Sequence, residues 1–142
     1  RAGRVRAIGV SNFLPHHLEN LLEVCTVPPM VDQIEFHPGY VQWETVEFCR
    51  ASQILVEAWS PLGRQRLADD PLLAELAGKY GVSQAQICLR FALDCGVVPL
   101  PKSADAGRMR QNLALDFVLE AEDLERLRTM PQTGWSCLHP DK

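Results

Sequence analysis

Apolar residues follow two alternating patterns along the chain. Four short runs rich in Val, Ile and Leu are bounded by Gly, Pro or polar residues, which is typical of buried β-strands. Between and after these runs, apolar residues recur at spacings of three and four, which indicates amphipathic helices. The predicted order is therefore β-α-β-α-β-α-β-α, and the four strands are expected at Val5–Val10, Val31–Phe36, Ile54–Ala58 and Val97–Leu100.

Local signals predict where the helices begin and end. Pro15 suits the first position of a helix whose apolar stripe ends near Cys25. Gly81 stops a later stripe, and Ser83 with Gln86 fits a capping box that opens the next helix. Further helices are predicted around 46–50, from about Asp105 to Leu113, and from about Ala121 to Met130 before Pro131. The polar stretch 63–71 predicts a loop, and residues 132–142 predict an irregular tail.

Polar side chains follow each predicted strand. Strands that alternate with helices pair in parallel, so their carboxyl ends lie on one face of the sheet. In (β/α) barrels that face carries the active site. We therefore expect the four polar segments to converge there; they are Ser11-Asn12-Phe13, the segment from Asp32 to Pro38, the segment from Glu57 to Gly63, and Pro101-Lys102-Ser103.

The chemistry of these segments fits a dinucleotide. Ser11, Asn12 and Gln33 offer the donors and acceptors that a carboxamide needs. Trp59 offers a flat partner for a heteroaromatic ring. Phosphates need cations and helix N-termini, and Lys102, Ser103 and Arg108 lie near the start of a predicted helix. The sequence has no G-x-G-x-x-G motif, so a Rossmann site is not indicated.

Composition narrows the class of protein. The 142 residues suffice for one domain with a core, and the charged fraction of 23% is ordinary for a globular chain. A net charge of −4 argues against a general nucleic-acid surface. No apolar run reaches the roughly 20 residues that span a bilayer, and no signal peptide is visible, so we expect a cytoplasmic protein without membrane partners. Because the chain opens with Arg1, we expect an upstream segment.

Cysteines and histidines predict neither a disulfide framework nor a metal centre. The five cysteines are odd in number, scattered and without a C-x-x-C pair, and Cys88 is expected to be buried filler. His16 and His17 are expected to be solvated at a helix start. No pair of histidines has metal-ligand spacing with carboxylates. The carboxylates Glu35 and Glu57 flank strands, and Glu57 is expected to make a buried polar contact.

The motifs together resemble the aldo-keto reductase family over nearly the whole chain, and in particular its bacterial diketogluconate-reductase-like members. Four segments in the same order, each at a predicted strand end, carry the resemblance, and two later segments agree. The matching segments are 9–13, 32–38, 57–63, 100–103 with Arg108 and Asn112, 85–91, and 117–119. The resemblance implies the C-terminal half of a TIM (β/α)8 barrel, strands five to eight, over residues 1–131, followed by a tail over 132–142.

The resemblance also implies site residues for NADPH or NADP+. Ser11, Asn12 and Gln33 would hold the nicotinamide carboxamide, and Trp59 stands where the family usually stacks Tyr. The remaining residues would hold the phosphates and adenine: Ser60, Leu62 and Gly63 at the pyrophosphate; Lys102, Ser103 and Arg108 at the 2′-phosphate; Gln111 and Asn112 at the adenine. Two positions depart from the family pattern, since Asp32 replaces a common Asn and Gln111 replaces a usual Glu.

The implied activity is reduction of a small aldehyde or ketone by hydride transfer from NADPH. The catalytic Asp, Tyr, Lys and His of the family come from the first half of the barrel, so no residue of this chain is expected to be catalytic. His37 matches a His-Pro pair that shapes a loop in the family. The chain alone is therefore expected to be inert, and its expected partner is a missing N-terminal half-barrel or a second copy of itself.

Two alternatives stay open. Four β-α units would expose two sheet edges, and two copies could close one eight-stranded barrel as a cofactor-binding scaffold. The other alternative is a non-enzymatic relative, like the potassium-channel β subunits that keep the reductase barrel.

Overall fold

The computed structural model describes residues 3–141 and contains one sheet of four parallel strands. The sheet order is β1-β2-β3-β4, so every strand pairs with the strand next in the chain. The strands are β1 (Gly9–Ser11), β2 (Val31–Glu35), β3 (Leu55–Trp59) and β4 (Val98–Pro99). The helices are α1 (Pro15–Val24), α2 (Trp43–Ala51), α3 (Pro71–Tyr80), α4 (Gln84–Asp94), α5 (Ala106–Leu113) and α6 (Ala121–Arg128). The predicted alternation of parallel strands and helices is confirmed, including the two helices that were predicted on either side of Gly81, between β3 and β4.

The helices cover one face of the sheet. Side chains alternate between the two faces of a strand, and along β3 the side chains of Val56 and Ala58 are buried. Leu55 is 46% exposed and Glu57 is half-buried on the other face. The register places Gln33 beside Glu57, so this second face, here called the open face, continues across β2.

The hydrophobic core lies between the sheet and the helices. Ile34 of β2, Leu76 of α3 and Phe91 of α4 are each at most 1% exposed. The rings of Phe36 and Phe91 stack with centroids 5.7 Å apart, which joins the end of β2 to α4. Full burial of such a side chain contributes about 1.5–3 kcal/mol. The core therefore fixes the strand ends that carry the polar segments.

Prolines shorten the two outer strands relative to their predicted lengths. β1 was expected at Val5–Val10 but occupies only Gly9–Ser11, with Val5 70% exposed. Gly9 pairs with Val31, so residues 5–8 would pair with a segment that contains Pro28 and Pro29. β4 is reduced to Val98–Pro99 and is followed by a second proline. Proline has no N–H to donate to a neighbouring strand.

The predicted helix signals are confirmed. Pro15 opens α1, and the Ser83 hydroxyl accepts the Gln86 N–H at 3.3 Å in a complete capping box. Gly81 ends α3 with a φ of 66°, a left-handed conformation that glycine adopts without strain. α6 ends at Arg128 rather than at the predicted Met130. Pro131 disfavours the helical conformation of the residue before it, which contributes to the earlier stop.

Residues 132–141 form no helix or strand, as predicted for the tail, but they pack against the body of the chain. The Trp135 ring stacks on Tyr40 with centroids 5.1 Å apart. The Ser136 hydroxyl donates to Glu35 Oε2 at 2.6 Å, and Glu35 is 2% exposed. The division of the chain at residue 131 stays a prediction. Within residues 3–141, no helix combines the length and the apolar character needed to cross a membrane.

Candidate functional site

The carboxyl ends of β1 and β2 are joined by hydrogen bonds. The Ser11 hydroxyl donates to the carbonyl oxygen of Gln33 at 2.9 Å, and the Asn12 N–H donates to the same oxygen at 3.0 Å. Asn12 has a φ of 59°, a left-handed conformation that Asn tolerates better than most residues. The turn at 11–12 is therefore held against β2, as the sequence predicts.

Two side-chain amides at this end of the sheet have fixed orientations. The Trp59 indole N–H donates to Asn12 Oδ1 at 2.7 Å. Because an indole N–H can only donate, the Asn12 nitrogen must face away as a donor. Gln33 Nε2 donates to Glu57 Oε2 at 3.0 Å, which leaves Gln33 Oε1 as an acceptor. Ser11, Asn12, Gln33 and Trp59 thus form one connected group, and the predicted contact of Glu57 is identified.

The other predicted residues surround a cavity of about 550 Å³ beside β3, β4 and α5, here called the strand-end cavity. Its lining includes seven of the predicted site residues: Ser60, Leu62, Lys102, Ser103, Arg108, Gln111 and Asn112. Gly63 is buried beside it. Its φ is 59° and a Cβ would lie 2.7 Å from Leu67 Cγ, so this turn requires glycine.

The strand-end cavity is positively charged. Arg64, Lys102 and Arg108 line it, and the described lining residues include no carboxylate. Ser103, Gln111 and Asn112 add neutral donors. Cations and amide or hydroxyl donors are the groups that bind phosphate oxygens. The arrangement therefore suits an anionic ligand of more than one phosphate.

The start of α5 differs from the anion site that its position predicts. Asp105 Oδ1 accepts the Arg108 backbone N–H at 2.7 Å and lies 4.0 Å from the Arg108 Nε. The capping carboxylate therefore occupies a helix N–H that a phosphate would otherwise use. Lys102 and Ser103 precede α5, and the Ser103 hydroxyl accepts the Asp105 N–H at 3.2 Å. A phosphate at the start of α5 would therefore be held by side chains more than by the helix dipole.

Sequence reasoning missed Arg64 as a site residue. It lies in the stretch 63–71 that was interpreted as a polar loop, whose first part, Gly63–Gln65, is a tight turn with left-handed backbone. The Arg64 guanidinium carbon lies 5.3 Å from the centroid of the Trp59 ring, and its Nε donates to the Ser60 hydroxyl at 2.9 Å. The available signal was a cation directly after Ser60, Leu62 and Gly63, which the resemblance assigns to the pyrophosphate.

Asp32 is a buried carboxyl group behind the Ser11-Asn12 turn. Its side chain is fully buried and Oδ1 accepts the Phe13 N–H at 3.4 Å. Oδ2 has no hydrogen-bond partner among the described residues. Burial raises the pKa of Asp32 to about 6, and the bond from Phe13 opposes the rise. Asp32 thus supports the turn from the helix side of β2, at an electrostatic cost.

Burial makes the thiols of three cysteines unreactive. Burial raises the pKa of the Cys49, Cys88 and Cys95 thiols to about 12. The thiolate is the reactive form, so these side chains act as small apolar groups. The predicted role of Cys88 as buried filler agrees with its 3% exposure.

His16 and His17 both contact the carboxylate of Asp141. Asp141 Oδ1 lies 3.0 Å from Nε2 of both His16 and His17. His16 is exposed as expected, whereas His17 is half-buried, so the expectation of a solvated side chain is wrong for His17 alone. The Leu14 N–H donates to His17 Nδ1 at 3.1 Å, which places the proton of a neutral ring on Nε2 and directs it to Asp141. The ligand atoms of His16, His17 and Asp141 lie within 4.8 Å of one another, so the expectation that no two histidines have metal-ligand spacing with a carboxylate is also wrong. The sequence could not show this cluster because 124 positions separate His17 from Asp141.

His37 is buried in the loop after β2. Its Nδ1 donates to the Pro38 carbonyl oxygen at 2.9 Å, and its Nε2 lies 3.5 Å from Glu35 Oε1. The His37 backbone pairs with Tyr40 in both directions, which closes the loop. The contacts support the loop-shaping role that the family resemblance implies.

Known proteins match this arrangement. The model of the aldo/keto reductase family matches residues 1–131. Glyoxal reductase of Bacillus subtilis is 45% identical over 141 residues, which cover 99% of this chain and 51% of that protein. The chain thus spans about half the length of the curated relatives that it matches.

Solved structures agree with the sequence relatives. An aldo-keto reductase from a deep-sea metagenome superposes with a TM-score of 0.90 at 34% identity, covering 99% of this chain and 53% of that one. A silkworm aldo-keto reductase solved with NADPH superposes with a TM-score of 0.84 at 32% identity, covering 94% and 44%. The four strands therefore correspond to half of a (β/α)8 barrel. The family match and these similarities show that the chain belongs to the aldo-keto reductase family of oxidoreductases.

Proposed function

We propose that this chain is the cofactor-binding half of an NADPH-dependent carbonyl reductase. The observation that carries the proposal is the strand-end cavity, with its three cations, next to the oriented amides of Asn12 and Gln33. Bound NADPH would supply the hydride for reduction of an aldehyde or ketone. The proposal adds a cofactor and a reaction to the family membership.

The residues fit the two ends of the cofactor. A nicotinamide carboxamide has one carbonyl acceptor and one amino donor. The outward nitrogen of Asn12 can donate to the carboxamide oxygen. Gln33 Oε1 and the Ser11 hydroxyl oxygen can accept from the carboxamide nitrogen. Lys102, Ser103 and Arg108 in the cavity supply charge and donors for a 2′-phosphate. The chain's own contribution is thus to bind and orient the cofactor.

Protonation of the carbonyl oxygen needs a catalytic acid, and the family resemblance assigns that acid to the first half of the barrel. The chain spans 51% of the Bacillus glyoxal reductase, so a complementary half is the partner that we propose. The substrate would then meet the cofactor at the face where the two halves join.

A titration with NADPH and NADH tests the proposal. We expect the chain to bind NADPH more tightly than NADH. Lys102→Ala or Arg108→Ala should lower the affinity for NADPH by about tenfold or more, since a hydrogen bond to a charged group contributes roughly 1.5–3 kcal/mol. The affinity for NADH, which lacks the 2′-phosphate, should change little in either variant. Isothermal calorimetry measures both affinities.

Arg110→Ala is the matched control, because Arg110 lies exposed on α5 and outside the cavity lining. It should leave both affinities unchanged. Equal affinities of the unaltered chain for NADH and NADPH would remove the 2′-phosphate assignment.

The open sheet edges favour a second candidate function, a self-associating cofactor scaffold without catalysis. Val98 on β4 is 37% exposed and Leu100 after it is 43% exposed. Within residues 3–141, β4 pairs with β3 alone and β1 with β2 alone. Two copies could therefore close eight strands by pairing these edges.

A further inference from the structure

Two consecutive histidines at the start of α1 direct their rings to one point. Consecutive residues of a helix do not normally face each other, yet the ring centroids of His16 and His17 lie 4.0 Å apart. Both Nε2 atoms lie 3.0 Å from Oδ1 of Asp141 in the tail, and the three potential ligand atoms lie within 4.8 Å of one another. These three residues, here called the His-His-Asp cluster, join α1 to the tail, and none of them lines the strand-end cavity.

The chemistry of the cluster suits a divalent transition metal. Two imidazole nitrogens and one carboxylate oxygen are ligands that zinc takes where three protein groups leave a fourth position to water. Ligand atoms around a tetrahedral zinc ion lie roughly 3.3–3.4 Å apart, since zinc–ligand distances are about 2.0–2.1 Å. The separations within the cluster therefore need only small rotations, and His16 and Asp141 are exposed and free to make them. The carboxylate also offsets the positive end of the α1 dipole, which by itself opposes a cation.

A hydrogen bond to His17 determines which proton a metal must displace. The Leu14 N–H donates to His17 Nδ1 at 3.1 Å, so the proton of the neutral ring lies on Nε2. A metal at Nε2 requires that this nitrogen lose its proton and that Nδ1 carry one. His17 then no longer accepts the Leu14 N–H. Metal binding is therefore coupled to a local change at the first turn of α1 that can be measured.

The contacts of the tail indicate what a metal on the cluster would do. Near its middle the tail is held to the loop after β2, where Trp135 stacks on Tyr40, and to β2 itself, where Ser136 donates to Glu35. Further along, the hydrogen bonds and ion pairs of the Asp141 carboxylate with described residues outside the tail go to His16 and His17. A metal shared by these three side chains would hold the end of the tail at a second place.

We propose that His16, His17 and Asp141 bind a divalent transition metal such as Zn²⁺, which fastens the end of the tail to the start of α1. The site is separate from the residues that the proposed function assigns to the cofactor. Its failure would therefore leave the proposed function untouched.

Calorimetric titration of the untagged chain with ZnCl₂ tests the proposal. Every protein in the series carries Cys137→Ser, because this exposed thiol of the same tail offers zinc a competing ligand. We expect one zinc ion to bind per chain. Asp141→Asn and His16→Gln should each lower the affinity for zinc by about tenfold or more, since loss of even an outer-sphere partner of a metal costs about 10–100-fold.

His139→Gln is the matched control. His139 lies in the same tail, but its Nδ1 accepts the Asp141 N–H at 3.2 Å and lies 3.9 Å from Asp141 Oδ2, farther than either ring of the cluster lies from this carboxylate. This variant should keep its affinity for zinc. An equal loss in His139→Gln, or unchanged affinity in either cluster variant, would overturn the assignment.

The Leu14 amide gives a second readout that a purely structural cluster would not move. Zinc should shift the Leu14 resonance in a ¹⁵N–¹H spectrum and speed its hydrogen exchange, because His17 no longer accepts its hydrogen bond. Zinc should also slow the exchange of the last amides of the tail, and EDTA should reverse both effects. Zinc binding that leaves these amides unchanged would place the ion elsewhere on the chain and contradict the proposal.

Discussion

Asp32 shows how a single residue can support the site at the expense of stability. Its carboxyl group accepts the Phe13 N–H at 3.4 Å and is fully buried on the helix side of β2. Burial raises its pKa from 3.8 to about 6. Below the lower value both the folded and the unfolded chain carry the proton, so the group has no effect. Between the two values the unfolded chain releases the proton while the folded chain keeps it, so stability falls as the pH rises, and above the higher value the folded chain carries the unfavourable charge.

Asp32→Asn should therefore stabilise the protein in a pH-dependent way. Asparagine keeps an acceptor for the Phe13 N–H and removes the charge. We expect a gain of at most about 3 kcal/mol near pH 8, from a shift of roughly two pKa units, and almost no gain near pH 3. Urea unfolding at both pH values measures it, and a gain of equal size at both would show that the charge is not the cause.

The grouping of polar side chains at the strand ends was predictable from their places in the sequence, whereas contacts that depend on a particular backbone or side-chain conformation were not. The group of Ser11, Asn12, Gln33 and Trp59 follows from their places at strand ends. The bond from the Trp59 indole to Asn12 needs a left-handed φ of 59° at Asn12, which no local pattern announces. Arg64 was missed for the same reason, because its position depends on consecutive residues with positive φ.

At the scale of elements, α3 and α6 are joined through one buried carboxylate. Asp123 of α6 is 3% exposed and accepts from Lys79 Nζ at 2.6 Å and from the Tyr80 hydroxyl at 2.7 Å. The bonds from Lys79 and Tyr80 lower its pKa. A lowered pKa means that the stabilisation is present above the ordinary value of 3.8 and is lost as the pH falls through the folded value. The charged residues Asp123, Glu125, Arg126 and Arg128 predict a solvated face of the last helix, and for Asp123 that prediction is wrong.

Asp123→Ala should weaken the contact between α3 and α6 and lower the stability of the fold. We expect a loss of about 1–2 kcal/mol at neutral pH, because Lys79 and the Tyr80 hydroxyl lose a shared acceptor, while Lys79 stays exposed to water and keeps its bond to Glu120. Tyr80→Phe should cost about 1 kcal/mol, the net value of a hydrogen bond. Glu122→Ala, at an exposed acid on the same turn, is the control and should be neutral. Urea unfolding measures all three, and equal losses for Asp123→Ala and Glu122→Ala would refute the buried link.

Element boundaries were predictable where the signal is local. Pro15, Gly81 and the capping box at Ser83 act within one helical turn, and the corresponding helix ends agree with the structure. Strand lengths depend on the neighbouring strand, which lies about twenty residues away in the sequence. The predicted Val5–Val10 strand shrank to Gly9–Ser11 because the segment opposite it contains Pro28 and Pro29.

Residues 3–141 form half of a barrel, and the edge strands β1 and β4 each have a single partner among these residues. Exposed apolar residues cluster near β4, where Leu93, Val98, Met109 and Leu113 line a groove of about 530 Å³. Exposed strand edges with apolar side chains favour pairing with another chain. The fold class was predictable because four motifs occur in barrel order, and the half-length followed from where the resemblance begins.

The isolated chain should consequently associate into a dimer. We expect light scattering to give twice the mass of 15.9 kDa, and Val98→Lys should shift the population toward the monomer by placing a charge in the edge. Leu138→Lys is the control, since Leu138 is 64% exposed in the tail and away from β4. A monomer at all concentrations would contradict self-association and leave a separate half-barrel as the expected partner.

The order of the sheet has a consequence for how the chain is synthesised. Every strand pairs with the strand that follows it in the sequence, so no pairing has to wait for a distant segment to leave the ribosome. Each β-α unit can be added to the units before it as translation proceeds, since local contacts form quickly. Lengthening such a protein by another unit extends an existing surface and requires no rearrangement of what is already folded, which makes duplication of a gene segment an accessible evolutionary step.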